Sequence, residues 1–271
     1  MKIRQTLACL TWFFCALPAL PVNFQALQQV NDTVFMGNDT LLALDNMLSK
    51  VCYEGASDDL LFDSASTCRP SDCVRGYRAK WLVADSLLYV TQITSCCFAQ
   101  DSLTADLKKV FPQQYADNRA LADWTNGTYR FNQGRVLLDA GDRTDPLYEK
   151  EFDLQIANGK IIKAIKYDNS DTRISPYAHN SDSLYTWLYT HIVQDKVSDG
   201  LVIAIVSGDE NGKVDSVRIV KGADPIINAQ IEHALRTIPR WNVIYKRGKF
   251  MRTSQVLKIF INEQRRRQYA R

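Results

Sequence analysis

From residue 77 to residue 168 the apolar positions recur mostly every second residue, the period of a strand with one face covered and one wet. The runs 77–83 and 87–93 flank Ala84-Asp85-Ser86 and carry Tyr77, Trp81 and Tyr89, which predicts a hairpin. A second hairpin is predicted over 148–157 and 160–168, where Phe152, Leu154 and Ile156 alternate with Glu151, Asp153 and Gln155. Asn158-Gly159 sits between these runs and is the strongest short hairpin signal a chain carries. Residues 127–131 and 135–138 also read as strands. A helical interruption is expected at 102–110, with Leu103, Leu107 and Val110 on one stripe, and a further turn or two at 118–124. Residues 27–38 are polar and read as irregular, and 56–71 as loop. Residues 41–53 fit either a helix or a hairpin turning at Asp45-Asn46, and the hairpin is preferred. Residues 27–168 thus predict an antiparallel β-rich domain, followed by a polar, proline-containing linker at 169–182.

Beyond the linker the pattern shifts. Residues 201–206 form an unbroken run of Leu, Val, Ile and Ala, short enough to be a strand covered on both faces. The loop 207–212 supplies two glycines. Residues 214–221 then alternate, with Asp215, Val217 and Ile219 on one face and Val214, Ser216, Arg218 and Val220 on the other. Asp224-Pro225 pairs an N-cap acceptor with proline at the first helical position, and Ile227, Ile231, Ala234, Leu235 and Ile238 form the stripe behind it. Pro239 ends that helix, and after a basic turn at 246–249 residues 253–261 read as a third strand. The fold class is α+β.

The apolar run, then Asp209, Asn211, Gly212, Lys213 and Val214, then Val217, Ile219, Val220 and Lys221, then Asp224, Ala234, Leu235, Pro239 and Trp241, resembles the C-terminal domain of TonB-type energy transducers. The resemblance covers residues 183–271, about the last third of the chain. It implies two helices on a three-stranded antiparallel sheet, the first helix being 183–194, capped by Asp182, with Leu184, Trp187, Leu188 and Ile192 inward. Two positions depart from the family. Val193-Gln194-Asp195-Lys196 stands where a Tyr-Pro step is usual, and Asn242-Val243-Ile244 where proline and glycine often follow the tryptophan. In that family the last strand is an open edge that takes a segment of an outer-membrane receptor. Carried over, the partner-binding residues are Thr253, Gln255, Leu257, Ile259 and Ile261, with an outer-membrane receptor or another envelope protein as partner.

Composition narrows the remaining classes. The chain has 271 residues, of which 46% are hydrophobic and 23% charged. Lys2 and Arg4 precede an apolar stretch at 7–20 that is short and interrupted by proline, so residues 1–26 read as a secretory signal peptide, with an uncleaved anchor as the lesser reading. Its removal takes two basic residues and no acidic one, and the formal charge of +3 falls to +1. A charge near zero offers no field for nucleic acid. Cleavage leaves no membrane span, and the protein is expected in the periplasm or at the cell surface. Its five remaining cysteines, Cys52, Cys68, Cys73, Cys96 and Cys97, form no C-x-x-C pair. In an exported chain they predict one or two disulfides with at least one thiol left over, and disulfides or buried thiols in preference to a zinc site.

No phosphate loop, dinucleotide fingerprint or nucleophile elbow is present in the sequence. His191 and His233 read as surface or boundary residues. No cofactor or metal is expected, and the chain is read as a non-enzymatic exported protein that binds an envelope partner by strand addition. Three other readings stand beside it. One is a carbohydrate- or ligand-binding β-domain with Trp81, Trp124 and Tyr129 as stacking residues, and another is a cysteine or metal enzyme. The last is a full energy transducer, which requires an uncleaved anchor; the chain has 8 prolines and no proline- and lysine-rich tract.

Overall fold

The computed structural model describes residues 30–51, 61–62, 70–97, 103–139, 146–193 and 199–270. The signal segment, Cys52 and Cys68 lie outside the described residues. The fold is mixed α+β with strands predominating. In the first part these are β1 (Asp32–Met36), β2 (Asp39–Ala43), β3 (Tyr77–Ala84), β4 (Leu87–Ser95), β5 (Tyr115–Ala116), β6 (Arg119–Leu121), β7 (Gly127–Leu138), β8 (Leu147–Ala157) and β9 (Lys160–Asp168), with a one-turn helix α1 (Leu107–Val110) after β4.

The strands form a ring in the order β3-β1-β2-β7-β8-β9-β4, and β4 pairs back with β3, so the sheet closes into a barrel. The hairpin β5–β6 hangs from β4. Two local turns set the register. Asp85 and Ser86 both adopt positive φ between β3 and β4, as do Asn158 and Gly159 between β8 and β9, the two-residue geometry that matches strand twist. A side chain at position 159 would begin 3.0 Å from the Ala122 backbone, so only glycine fits. The barrel departs from the predicted all-antiparallel set in one respect: β1 runs parallel to β3, with Thr33 opposite Lys80. Residues 32–36, expected to be irregular, are therefore a strand. The hairpin turns at Gly37-Asn38 rather than at Asp45-Asn46, and 41–43 belong to its second arm. Residues 118–124 contain β6 and turns, not a helix, and the helix expected over 102–110 shrinks to four residues capped by the Asp106 carboxylate.

The parallel pairing is anchored by a buried carboxylate. Asp32 is fully enclosed and accepts hydrogen bonds from the Ala79 N–H at 2.7 Å, the Trp81 indole N–H at 3.1 Å and the Arg75 guanidinium. Arg75 also donates to the carbonyls of Tyr77 and Val30. Burial pushes the Asp32 carboxyl above the usual carboxylate range, while Arg75 and the two N–H donors pull it back. A disulfide between Cys73 and Cys96 ties the two ends of the β3–β4 hairpin, and Cys97 is likewise disulfide-bonded.

The second part holds α2 (Pro176–His179), α3 (Ser181–His191), β10 (Gly200–Gly208), β11 (Val214–Lys221), α4 (Pro225–Arg236), β12 (Ile244–Lys246), β13 (Lys249–Met251), β14 (Ser254–Ile261) and α5 (Glu263–Tyr269). Its three-stranded sheet has the order β11-β10-β14, and α3 and α4 cover one face through Leu184, Leu188, Ile227, Ile231 and Leu235. The helix α3 begins two residues earlier than expected because Asn180, not Asp182, caps it. Asp224 caps α4 through the N–H groups of Ile226 and Ile227, with Pro225 behind it. In β11 a register shift at Asp215 brings Val214 onto the same buried face as Val217, which strict alternation had put on opposite faces.

The stretch 169–182 is not a free tether. Arg173 pairs by backbone with Val243, Thr172 exchanges hydrogen bonds with Tyr245, and Ser175 N–H donates to Asn242. The hairpin β12–β13 completes the junction. Its turn residue Arg247, at positive φ, reaches Asp153 and the Tyr167 hydroxyl, and Gly248 N–H donates to the buried Asn169.

Replacing Asp32 by alanine leaves three donors facing a dry site with no acceptor. The expected cost is about 3–5 kcal/mol, the scale of breaking a buried ion pair from one side. A urea midpoint unchanged in Asp32→Ala would refute this account of the β1–β3 junction.

Candidate interaction edge

β14 alternates strictly. Leu257, Ile259 and Ile261 are buried under the helices, while Val256 and Phe260 are about half exposed on the opposite face. It pairs with β10 over eight consecutive residues, from Gly200 opposite Ile261 to Ser207 opposite Ser254, without a bulge. Among the described residues it has no second strand neighbour.

Which backbone groups are left over follows from one hydrogen bond. The Phe260 N–H donates to the Tyr185 hydroxyl at 2.9 Å, so it points away from β10. In an antiparallel ladder a residue directs its N–H and C=O to the same side, and the side alternates. Ser254, Val256 and Lys258 therefore present their backbone groups to the open edge, and Gln255, Leu257, Ile259 and Ile261 spend theirs on β10.

The far end of the edge is occupied. Besides the Tyr185 contact, the Tyr189 hydroxyl lies 3.3–3.4 Å from the Asn262 N–H and C=O. These two tyrosines are held in place by α5, whose Tyr269 stacks on the Tyr185 ring at 5.4 Å and donates its hydroxyl proton to Asp182 at 2.6 Å. Arg265 lies over the Tyr185 ring at 4.2 Å. The basic tail thus braces the cap at residues 260–262 and leaves 254–258 uncovered by it.

The near end is fixed by polar contacts. Gln255 donates to the Ala178 carbonyl at 2.5 Å and accepts from Asn242, whose amide nitrogen also faces His179 Nε2 at 3.2 Å. Since that nitrogen is a donor, His179 accepts through Nε2 and is neutral. Burial holds its pKa below the ordinary 6.5.

The opposite edge differs. Register shifts interrupt β11, and Arg236 donates to the Val217 carbonyl at 3.3 Å, which caps part of its free side. Of the two edges, β14 is the regular one. At the turn end of the sheet, Trp241 is buried against Gly208, where an added Cβ would meet its side chain at 3.1–3.2 Å, and its N–H donates to the Gly212 carbonyl at 2.7 Å. Asp209 closes the loop by accepting from the N–H groups of Asn211 and Lys213.

The residues singled out from sequence fall in three places. Leu257, Ile259 and Ile261 are core, Gln255 is half-buried in the polar network, and Thr253 precedes the strand. The side chains that flank the open backbone groups, Ser254, Val256 and Lys258, were not singled out. Nor was Tyr185, which reads as one more apolar position on an amphipathic helix. The aromatic residues of the carbohydrate reading do not form an exposed platform. Trp81 is enclosed with Asp32, Trp124 stacks on Phe111 at 4.7 Å and donates to the Met47 carbonyl, and Tyr129 is half-buried against the barrel core. Among the described residues no three His, Cys, Asp or Glu side chains gather in a metal-sized group, and no helix is long and apolar enough to cross a membrane.

A histidine whose folded pKa is lowered resists protonation only when folded. Its contribution to stability is therefore present above 6.5 and is lost as pH falls through 6.5 toward the folded value. Urea midpoints should decline over that interval, and the decline should flatten in His179→Gln. An equal slope in the variant would remove His179 from the network that sets the start of β14.

Compared with models of protein families, with curated proteins and with solved structures, the chain matches none of them.

Proposed function

We propose that this is a non-enzymatic exported protein whose C-terminal unit, similar to that of TonB-type transducers, binds an extended segment of an envelope partner as an added strand on β14. The partner class comes from the resemblance: an outer-membrane receptor or another protein of the envelope, met in the periplasm or at the cell surface. The observation that carries the reading is the uninterrupted edge at Ser254–Lys258, with β10 on one side and, among the described residues, no strand on the other. Added strands gain affinity from main-chain hydrogen bonds and register from side-chain contacts on alternating faces. Here the half-exposed Val256 and Phe260 supply an apolar face for such contacts, and Lys258 adds a charge.

The arrangement of the sequence motif supports the same reading. Asp209, Asn211, Gly212, Lys213 and Trp241, which carry the resemblance, meet at one end of the sheet and fix the β10–β11 turn against the end of α4. The motif thus acts as a brace for the sheet whose far edge is open.

The test uses a proline where it removes no internal bond. Val256 directs its N–H outward, so Val256→Pro keeps the β10–β14 ladder and takes one donor from a guest strand. Immobilised protein is expected to recover an outer-membrane receptor from envelope extracts, and Val256→Pro, with an unchanged circular dichroism spectrum, to lose it by roughly tenfold or more. In hydrogen exchange, the bound partner should protect the Val256 and Lys258 amides, whereas Leu257 is protected already. A receptor retained equally by the proline variant, or protection confined to other strands, overturns strand addition at β14.

A further inference from the structure

Where the β12–β13 hairpin leans on the barrel, a cleft of about 250 Å³ remains between them. Its walls are apolar: Leu44, Leu138 and Leu147 from the barrel side, Ile244 and Met251 from the hairpin. Asn132, on the outward face of β7, lines its floor. That residue is 98% buried, and its Nδ2 has no hydrogen-bond partner. A buried amide donor without an acceptor is uncommon in folded proteins and calls for a functional explanation. Glu151, directly across the ladder from Asn132, and Lys246, on the hairpin, also line the cleft, and neither has an ion-pair partner among the described residues. Arg130 and Arg247 line it too, but each is paired, with Asp45 and Asp153.

We infer that this cleft is a binding site for a zwitterionic molecule of amino-acid size with an apolar side chain. The chemistry follows from the lining. One acceptor oxygen satisfies Asn132 Nδ2, a carboxylate and an ammonium find Lys246 and Glu151, and an aliphatic body displaces water from the leucine, isoleucine and methionine walls. The size follows from the volume, which equals that of about eight water molecules at roughly 30 Å³ each. The site is separate from the β14 edge and does not rest on strand addition.

The experiment titrates the full mature chain, ¹⁵N- and methyl-labelled, with L-leucine, and in parallel with the uncharged N-acetyl-L-leucinamide. Saturable shifts of the Asn132 side-chain amide and the Met251 methyl with L-leucine are expected, with the uncharged probe weaker by roughly tenfold. Asn132→Leu should weaken L-leucine by about the same factor. Met251→Trp, at a partly exposed position where folding is not at stake, should block it by filling the cleft from the hairpin side. Absence of saturable shifts in the wild-type protein, equal binding of both probes, or binding unchanged in Met251→Trp each overturns the assignment.

Discussion

A strand paired on one side only leaves every second N–H and C=O without a partner, and most of what surrounds β14 answers that constraint. Tyr185 and Tyr189 satisfy the groups at its C-terminal end, and the stacked Tyr269 keeps those hydroxyls in place. The polar chain from His179 through Asn242 to Gln255 fixes where the strand begins. What is left is a short window at Ser254, Val256 and Lys258. A lysine within an open edge is a recognised brake on indiscriminate pairing, so the window is guarded as well as available.

Much of this was legible in the chain, for local reasons. Asn158-Gly159 specifies a turn that needs two positive φ angles, and Asp224-Pro225 specifies a helix start; neither depends on distant partners. The readings that failed depend on them. The strand β1 is short and opens on polar residues, and its neighbour β3 is parallel and far along the chain, so nothing near residue 32 announces it. Asp32 reads as a loop carboxylate until Arg75 and Trp81 close around it. In β11 one extra residue reverses the alternation, which no periodicity count detects.

The candidate edge shows the same division. Alternation told which side chains of 253–261 face the core, because apolarity marks that face. It did not tell which backbone groups face outward, because that depends on which side of β14 the strand β10 occupies. The cleft between the barrel and the β12–β13 hairpin was invisible for a related reason: Asn132 and Met251 are far apart in sequence, and each is unremarkable where it stands.

Closing the barrel through β1 against β3 and β4 against β9 carries a consequence for how the molecule is made. The ring needs its first strand at Asp32 and its last, ending at Asp168, at the same time, so contacts of large sequence separation must form before any of them is secured. Topologies of that kind fold slowly, because the entropy of looping precedes the reward of pairing. In a chain emerging from its N-terminus, β1 waits for β3 and β2 for β7, and the ring shuts only when β9 reaches β4. The Cys73–Cys96 bond, spanning only the β3–β4 hairpin, gives the middle of the barrel a local seed on which the late strands assemble.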